Sequence, residues 1–170
     1  MANFWSNVNL DPKRQYRFKV TFGGVIDEWL IKTVNKPSVT VSSTAHVYLT
    51  HTFNFPGKVT WDDVNMTLID SGEAGGGSTK KLRDVLTKSG YTLPTTPSAV
   101  GSTISKAKTA NAVPTITIKQ IDADNREIEK WTLHNPIITK ITNGNLTYGS
   151  DDLVEISLTI KYDWADITVL

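Results

Sequence analysis

The fold class of this chain is decided by residues 55–70, which read Phe55-Pro56-Gly57-Lys58-Val59-Thr60-Trp61-Asp62-Asp63-Val64-Asn65-Met66-Thr67-Leu68-Ile69-Asp70. The Pro-Gly pair near the start favours a turn. Val64, Met66 and Leu68 then recur at every second position, which places them together on one face of a half-buried β-strand. The stretch therefore predicts a turn followed by a strand, and it sets the pattern for the rest of the chain.

The same alternation predicts strands on both sides of this stretch. The flanking candidates are residues 15–22, a hairpin partner at 27–34, a hydroxyl-rich run at 38–55, a hairpin formed by 115–121 and 127–133, a short run at 137–141, and 153–162. Gly23-Gly24 is placed to turn the chain between the first two, and these two strands are therefore predicted to open a meander. We expect a mainly β domain, an antiparallel sandwich or barrel-like fold of about eight strands.

Two segments depart from the strand pattern. Ser78 precedes apolar residues at helical spacing, and Gly90 follows them, so one short helix is predicted over roughly 79–89. Residues 91–114 are rich in Thr, Ser, Ala and Pro, and they are predicted to form a long surface loop. We treat residues 1–170 as a single domain in which residues 1–14 form an N-terminal arm.

Composition supports β structure and excludes several functional classes. Thr, Val and Ile number 23, 14 and 14, and these stiff side chains favour a pleated sheet. A net charge of +1 gives no overall field that would draw the chain to nucleic acid or to a membrane. The absence of Cys rules out disulfides and thiolate chemistry. No apolar run has the length that a membrane span needs, so we expect no membrane insertion. We expect the chain to be synthesised in the cytoplasm.

No pattern of catalytic or metal-ligating residues is present. His46, His51 and His134 lack the spacing of metal ligands, and the glycines at 72–77 match neither a phosphate loop nor a dinucleotide fingerprint. Adjacent carboxylates such as Asp62-Asp63 would point to opposite faces of a strand, so they do not form an acid–base pair. We therefore predict that the protein is not an enzyme and has no catalytic residue, no metal and no cofactor.

Many strand edges remain without an obvious partner, and a soluble monomer should hide such edges. Two interpretations follow. In the first, the domain is an ordinary β-sandwich that binds carbohydrate or peptide. In the second, the edges pair with identical copies, so that oligomerisation is the function and one face lines whatever the oligomer encloses. Composition alone does not decide between them.

Residues 55–70 with the short helix that follows, and the closing stretch from Trp131-Thr132-Leu133-His134-Asn135-Pro136 through residues 154–162, resemble the tail tube proteins of contractile-tailed bacteriophages. The strand at 15–22 also fits this family, whereas residues 91–114 and the N-terminal arm depart from it. Inner-tube proteins of R-type pyocins, type VI secretion and related injection systems share the fold. The resemblance implies a structural protein of hexameric rings, stacked into a tube around a lumen.

The resemblance also implies partners and a location. The chain would contact itself, the tail sheath protein, and baseplate and tail-terminator proteins, and DNA would pass through the channel during genome delivery without specific binding. The location would be the tail tube of a virion. Two alternatives stay open, an inner-tube protein of a phage-derived injection system and the monomeric binding module. A carbohydrate platform needs exposed, coplanar Trp or Tyr, whereas most of the Trp residues at 29, 61, 131 and 164 are expected at strand positions compatible with packing or subunit contacts.

Three sets of residues are candidates for this assembly. The stretches 39–54 and 115–133 leave a long polar face, so the lumen-facing candidates are Thr40, Ser42, Thr117, Lys119, Glu127 and Glu129. Aromatic side chains that would otherwise add exposed apolar area, with one basic neighbour, give the subunit-contact candidates Phe4, Trp5, Phe53, Phe55 and Lys58. Two cations in the long loop, Lys106 and Lys108, are the sheath-contact candidates.

Overall fold

The structure is a computed structural model that describes residues 11–74, 76–113 and 115–170. This part of the chain contains ten strands and two α-helices, and both helices lie between the fifth and the sixth strand. The bounds are β1 Phe18–Phe22, β2 Ile31–Val34, β3 Val39–Tyr48, β4 His51–Trp61, β5 Val64–Ile69, α1 Ser78–Lys88, α2 Lys106–Ala112, β6 Thr115–Ile121, β7 Glu127–His134, β8 Ile137–Asn143, β9 Glu155–Lys161 and β10 Trp164–Val169. The prediction of a mainly β, antiparallel fold is confirmed.

The first sheet has the strand order β1-β6-β7-β10, with every pair antiparallel. The predicted hairpin at 115–133 is its centre, formed by β6 and β7. The predicted opening meander is wrong, because β1 pairs with β6 and β2 belongs to the other sheet. Gly23 and Gly24 both have positive φ, and the chain uses this turn to leave the first sheet rather than to fold back on β1.

The second sheet has the order β2-β5-β9-β8. Its central strands, β5 and β9, carry the alternation that the sequence showed. Val64, Met66 and Leu68 lie opposite Ile160, Leu158 and Ile156 in register, and all six are buried. The inner faces of the two sheets enclose the core, to which the first sheet contributes Val20, Phe22, Ile116, Ile118 and Leu133. Shortening one such side chain to Ala costs about 2–5 kcal/mol in comparable cores.

The two helices pack next to β8. Helix α1 begins one residue before the predicted start, and Asp70 caps it from the end of β5 by accepting from the backbone N–H and Oγ1 of Thr79, at 3.3 and 2.9 Å. Gly90, with φ 107°, follows its end. Among the described residues no helix has the length and apolar character that crossing a bilayer requires.

Residues 91–113 are mostly exposed, but they are more ordered than the predicted loop. A 3-10 turn, Pro97–Gly101, is followed by α2, whose N-terminus is capped by Ser105. Thr109 and Val113 are buried, and with Ile104 they line a small apolar cavity against α1 and β8. The sequence therefore predicted one helix where the described residues contain two, because the Lys, Thr, Ala and Asn content of α2 hides its short buried face.

Strands β3 and β4 form a separate two-stranded ribbon, residues 39–61. It continues the β2–β5 pair outward, since the register Val34↔Met66 leads directly to Val39↔Trp61. Every residue of the ribbon except Trp61 is exposed. At about 3.3 Å per residue, the ten-residue strand β3 is about 33 Å long.

Candidate assembly surface

Both faces of the ribbon carry exposed apolar side chains. The register places Val41 opposite Val59 on one face, together with Val39 and Val47. The other face has Phe53 opposite His46 and Phe55 opposite Thr44. Phe53 and Phe55 are 48% and 56% exposed, and Val41 and Val59 are 53% and 59% exposed. Neither apolar face of this ribbon is buried against the described part of its own chain. The ribbon is therefore suited to insertion between other molecules.

The Pro56-Gly57-Lys58 segment forms a β-bulge in β4. Two residues, Gly57 and Lys58, lie opposite the single Ser42, and the backbone N–H of Lys58 donates to Ser42 Oγ at 2.8 Å. A Cβ on Gly57 would lie 2.5 Å from that oxygen and 3.2 Å from the backbone oxygen of Ser42, so a larger residue would displace the Ser42 side chain from this hydrogen bond. The predicted turn at this position is therefore a bulge within a long strand, and the chain reverses instead at Leu49 and Thr50, between β3 and β4.

The ribbon brings two of the candidate sets onto one face. By strand alternation, Thr40 and Ser42 share the face of Phe53 and Phe55, with the hydroxyls near the base and the aromatic rings nearer the tip. Thr40 Oγ1 donates to both carboxylate oxygens of Asp62 at 3.1 Å. Lys58 is exposed beside them at the bulge. Phe4 and Trp5 lie outside the described residues.

The base of the ribbon is fixed to both sheets. The ring of Trp61 packs on Tyr162, at the end of β9, with centroids 5.9 Å apart. Asn35 Nδ2 donates to the backbone oxygen of Asp63 at 3.3 Å, and Asn35 Oδ1 accepts from the backbone N–H of Asn65. Lys36, in the β2–β3 connection, forms an ion pair of 2.8 Å with Glu129 on β7 of the first sheet. The ribbon therefore leaves the body at a defined angle.

The outer face of the first sheet carries three further lumen candidates. Thr117 lies in a row of threonines with Thr21 and Thr132, and Lys119 lies in the next row with Lys19 and Lys130. Like charges that face each other across strands destabilise a sheet. Glu127 offsets this repulsion by accepting from Lys119 Nζ at 2.5 Å, and that hydrogen bond lowers the pKa of Glu127. The face is polar across three adjacent strands.

Glu129 does not belong to that face. Gln120 pairs with Glu129 and Ile121 pairs with Glu127, so a bulge at Ile128 interrupts the alternation and turns Glu129 toward the interior. Its side chain is 7% exposed and is held by Lys13, Lys36 and the indole N–H of Trp131. Its assignment to the lumen is therefore wrong, because a buried side chain cannot line a channel.

The two sheath candidates lie on α2. Lys106 is 61% exposed, and its Nζ is 2.6 Å from Asp163 Oδ2, in the turn before β10. Lys106 and Asn135 both donate to this carboxylate and hold the pKa of Asp163 below its usual range. Lys108 is exposed on the same helix, next to Gly90. Both cations lie on a packed helix rather than on a free loop.

Two exposed features were missed by sequence reasoning. Trp29 lies in a 3-10 turn before β2, not in a strand, and with Tyr16 it borders a cleft of about 890 Å³ between β1 and β2. Both rings are 74% exposed. The second feature is the β8–β9 connection, where Leu146 and Tyr148 project into solvent. The signal for these exposed residues in the sequence was that they are apolar and isolated among polar neighbours.

Within the described ranges, no three His, Cys, Asp or Glu side chains converge as metal ligands would.

Comparison with solved structures gives the fold a precedent. The chain matches the anti-feeding prophage cap, a tube-terminating cap, with a TM-score of 0.68 and 14% identity over 100% of both chains. It matches a chain of the sheath–tube complex of the extracellular contractile injection system PVC with a TM-score of 0.65 and 16% identity, over 94% of this chain and 93% of the other. The fold is that of contractile injection system tube proteins.

A more distant match extends the likeness. A type six secretion system protein aligns with a TM-score of 0.50 and 9% identity, over 88% of this chain and 81% of the other. No family model matches the sequence, and no curated protein matches it. At these identities the likeness concerns the fold, and it confirms the resemblance to tube proteins at that level.

Proposed function

We propose that this protein is a structural subunit of a contractile tail or injection particle, which assembles as hexameric rings stacked into an inner tube. The observation that carries the proposal is the ribbon, which is apolar on both faces and covered by none of the residues that the structure describes. The tube-protein fold supports it. The protein acts without catalysis, and its only chemistry is self-association.

The residues have distinct roles in this proposal. Phe53, Phe55 and Lys58, with Phe4 and Trp5, contact neighbouring subunits. The base of the ribbon with Thr40 and Ser42, and the outer face of the first sheet with Thr117, Lys119 and Glu127, line the channel. These groups are hydroxyls and mixed charges, so a polyanion such as DNA would pass without specific binding. The tube is the tail tube of a virion and delivers the genome, and the subunits are made in the host cytoplasm.

The partners follow from the position of a tube in such a particle. We assign Lys106 and Lys108 to a weak, salt-sensitive contact with the tail sheath protein, because single exposed cations bind weakly and are screened by salt. The two ends of the tube would meet baseplate and tail-terminator proteins. An inner-tube protein of a phage-derived injection system would use the same surfaces with a different cargo.

The test is the state of association of the purified protein. Sedimentation velocity over a wide concentration range, with and without sulfate, is expected to show growth from monomer to rings and longer particles, since sulfate strengthens apolar burial. Negative-stain images should show six-fold rings and tubes with a central channel. A protein that stays monomeric at high concentration in sulfate would contradict the proposal.

The cleft with Trp29 and Tyr16 favours a second candidate, a β-sandwich that binds carbohydrate or peptide. Two exposed aromatic rings beside a cleft can stack on a sugar ring. This function predicts quenching of Trp fluorescence by an oligosaccharide in a strictly monomeric protein, and loss of that quenching in Trp29→Ala. Normal tube growth by Trp29→Ala would count against it.

A further inference from the structure

Two polar side chains interrupt the apolar inner face of the first sheet. Gln120 on β6 and Glu129 on β7 are partners in register. Both are buried: as whole residues, Gln120 is 7% exposed and Glu129 is 5% exposed. At the other end of the same strands, Ile116 pairs with Leu133 in the core. A buried amide or carboxylate is costly unless it is hydrogen-bonded or paired, and an apolar pair would fill the same space, so these two side chains ask for a reason other than core packing.

The polar pair holds two segments that lie far apart in the sequence. Gln120 Nε2 donates to the backbone oxygens of Arg14 and Arg17, at 2.8 and 3.2 Å, and Glu129 accepts from Lys13. These contacts fix the last residues of the N-terminal arm and the residues directly after it. The second oxygen of Glu129 accepts from Lys36 at 2.8 Å, directly before the ribbon. A single carboxylate thus joins the exit of the arm to the base of the ribbon.

The contact with Lys36 completes a two-point attachment of the ribbon. Trp61 joins one strand of the ribbon to the second sheet through Tyr162, and Lys36 joins the other strand to the first sheet through Glu129. One attachment would leave the ribbon free to pivot, whereas two attachments to different sheets define its direction. Ordering an interface segment before association reduces the entropy that binding must overcome.

We propose that Glu129, supported by Gln120, is a positioning residue that presets the ribbon and the N-terminal segment for association with other subunits. The proposal rests on the proposed function, because it assumes that the ribbon is the contact surface. It assigns to Glu129 no contact with a neighbouring subunit. Loss of Glu129 should leave the two sheets intact and impair assembly, since only the direction of the ribbon changes.

The experiment compares Glu129→Gln with Glu155→Gln, a matched change that removes the ion pair of another carboxylate with a lysine, Lys32. Amide hydrogen exchange on monomeric protein is expected to speed up about tenfold or more at residues 13–17 and 36–41 in Glu129→Gln, with no change at 156–160. The concentration needed for tube growth should rise about tenfold, because preorganisation is lost. Glu155→Gln should stay within about twofold of wild type in both measurements, because it breaks an exposed ion pair outside the proposed contact surfaces.

A second pair of variants covers the case that Glu129→Gln fails to fold. Lys36→Met removes only the link to the ribbon, from a side chain that is 43% exposed, and Lys32→Met removes a comparable ion pair on β2 from a side chain that is 54% exposed. Lys36→Met should reproduce the faster exchange at 36–41 and the impaired growth, and Lys32→Met should not.

The two readouts separate the proposal from the proposed function. If wild type never polymerises, the proposed function fails, and the exchange data alone decide whether Glu129 positions the segments. Unchanged exchange at 36–41 in both Glu129→Gln and Lys36→Met overturns the positioning role. Faster exchange with normal tube growth overturns its importance for assembly.

Discussion

Glu129 makes the stability of the monomer depend on pH in a defined direction. Burial of its carboxylate opposes ionisation and by itself raises the pKa, but hydrogen bonds from Lys13, Lys36 and Trp131 outweigh burial and lower the pKa to about 2. A group whose pKa is lower in the folded chain stabilises it above the unfolded value, and that contribution is lost as pH falls. The window lies between about pH 4.5 and pH 2, and the contribution is roughly 2–3 kcal/mol.

Urea unfolding of the monomer at a series of pH values measures this contribution. Wild type should lose that free energy of unfolding between pH 4.5 and 2, and Glu129→Gln should lose correspondingly less, since its side chain does not titrate. The difference between the two proteins isolates Glu129 from other acids, such as Asp163, whose pKa is also lowered. Parallel curves for the two proteins would contradict the assignment.

Gly57 permits the bulge that shapes the ribbon. Gly57→Ala would place a methyl group 2.5 Å from Ser42 Oγ and 3.2 Å from the Ser42 backbone oxygen, so the Ser42 side chain must give up the hydrogen bond that it accepts from the Lys58 N–H. We expect the pairing of β3 and β4 to weaken by about 1–3 kcal/mol, as in other overpacked sites. Faster amide exchange in the ribbon is the readout. Gly72→Ala, where nothing lies within 4 Å of the new methyl, is the control, and equal behaviour of the two variants would argue against the steric role of Gly57.

The sequence predicts which way a side chain faces where the apolar–polar alternation is regular, and it fails to do so where the alternation is interrupted. The aromatic side chains of the ribbon could be predicted as exposed, because no core partner was available for them. Glu127 and Glu129 were predicted on one face, as simple alternation requires. The bulge at Ile128 separates them, and bulge position depends on pairing across strands, which local sequence does not report.

The ribbon as an element should tolerate a charge in the monomer but not in an assembled tube. Phe55→Asp is expected to leave the fold intact, because the side chain is 56% exposed. It should abolish tube growth at concentrations where wild type polymerises, since burying an unpaired carboxylate is unfavourable. Circular dichroism and sedimentation are the measurements. Ser98→Asp, an exposed position outside the ribbon, should polymerise normally, and tube growth by Phe55→Asp would refute the contact.

The segment around α2 is best tested by substitution. Deletion of residues 98–110 would remove most of a packed helix with buried Thr109, so it would test folding rather than sheath binding. The double variant Lys106→Ala, Lys108→Ala should lose at most about 1 kcal/mol of stability, as exposed ion pairs contribute little. We expect normal tubes and weaker cosedimentation with the sheath protein. Lys140→Ala serves as control, and unchanged sheath binding by the double variant would contradict the contact.

Among the elements, those with a long apolar alternation were predictable. Strands β5 and β9 and the β6–β7 hairpin match the predicted segments closely. The pairing of β1 was not predictable, since the short turn after it suggested a local partner, whereas burial of Val20 and Phe22 is achieved beside β6. Helix α2 is only seven residues long, and its stability comes from packing, which composition does not show.

For the whole molecule, association should carry the thermodynamic signature of apolar burial. The valines and aromatics of the ribbon are exposed in the single chain, and they would leave water in the proposed assembly. The heat capacity of association is therefore expected to be negative, so that the enthalpy of assembly becomes more negative as temperature rises. Dilution calorimetry at several temperatures measures this. A heat capacity change near zero would mean that the ribbon stays hydrated in the assembly.

Ring size is the property that a single chain specifies least directly. The sequence pointed to one domain with free strand edges, and the structure adds where the ribbon leaves the body. The number of subunits depends on the angle between two contact surfaces on the same molecule, since head-to-tail contacts close into a ring only at particular rotations. In the proposed ring that angle is a property of the whole fold, and the contacts of Glu129 and Tyr162 at the base of the ribbon would contribute to it.

The order in which strands pair also bears on synthesis. Strands β3 and β4 are consecutive and joined by a two-residue turn, so the ribbon can form soon after it leaves the ribosome. The first sheet must wait, because β1 pairs with β6, which begins only at Thr115. During translation the ribbon is therefore complete while the body is still open. We expect that nascent chains on one messenger RNA would expose the same apolar ribbon side by side, and that encounters between them would compete with folding.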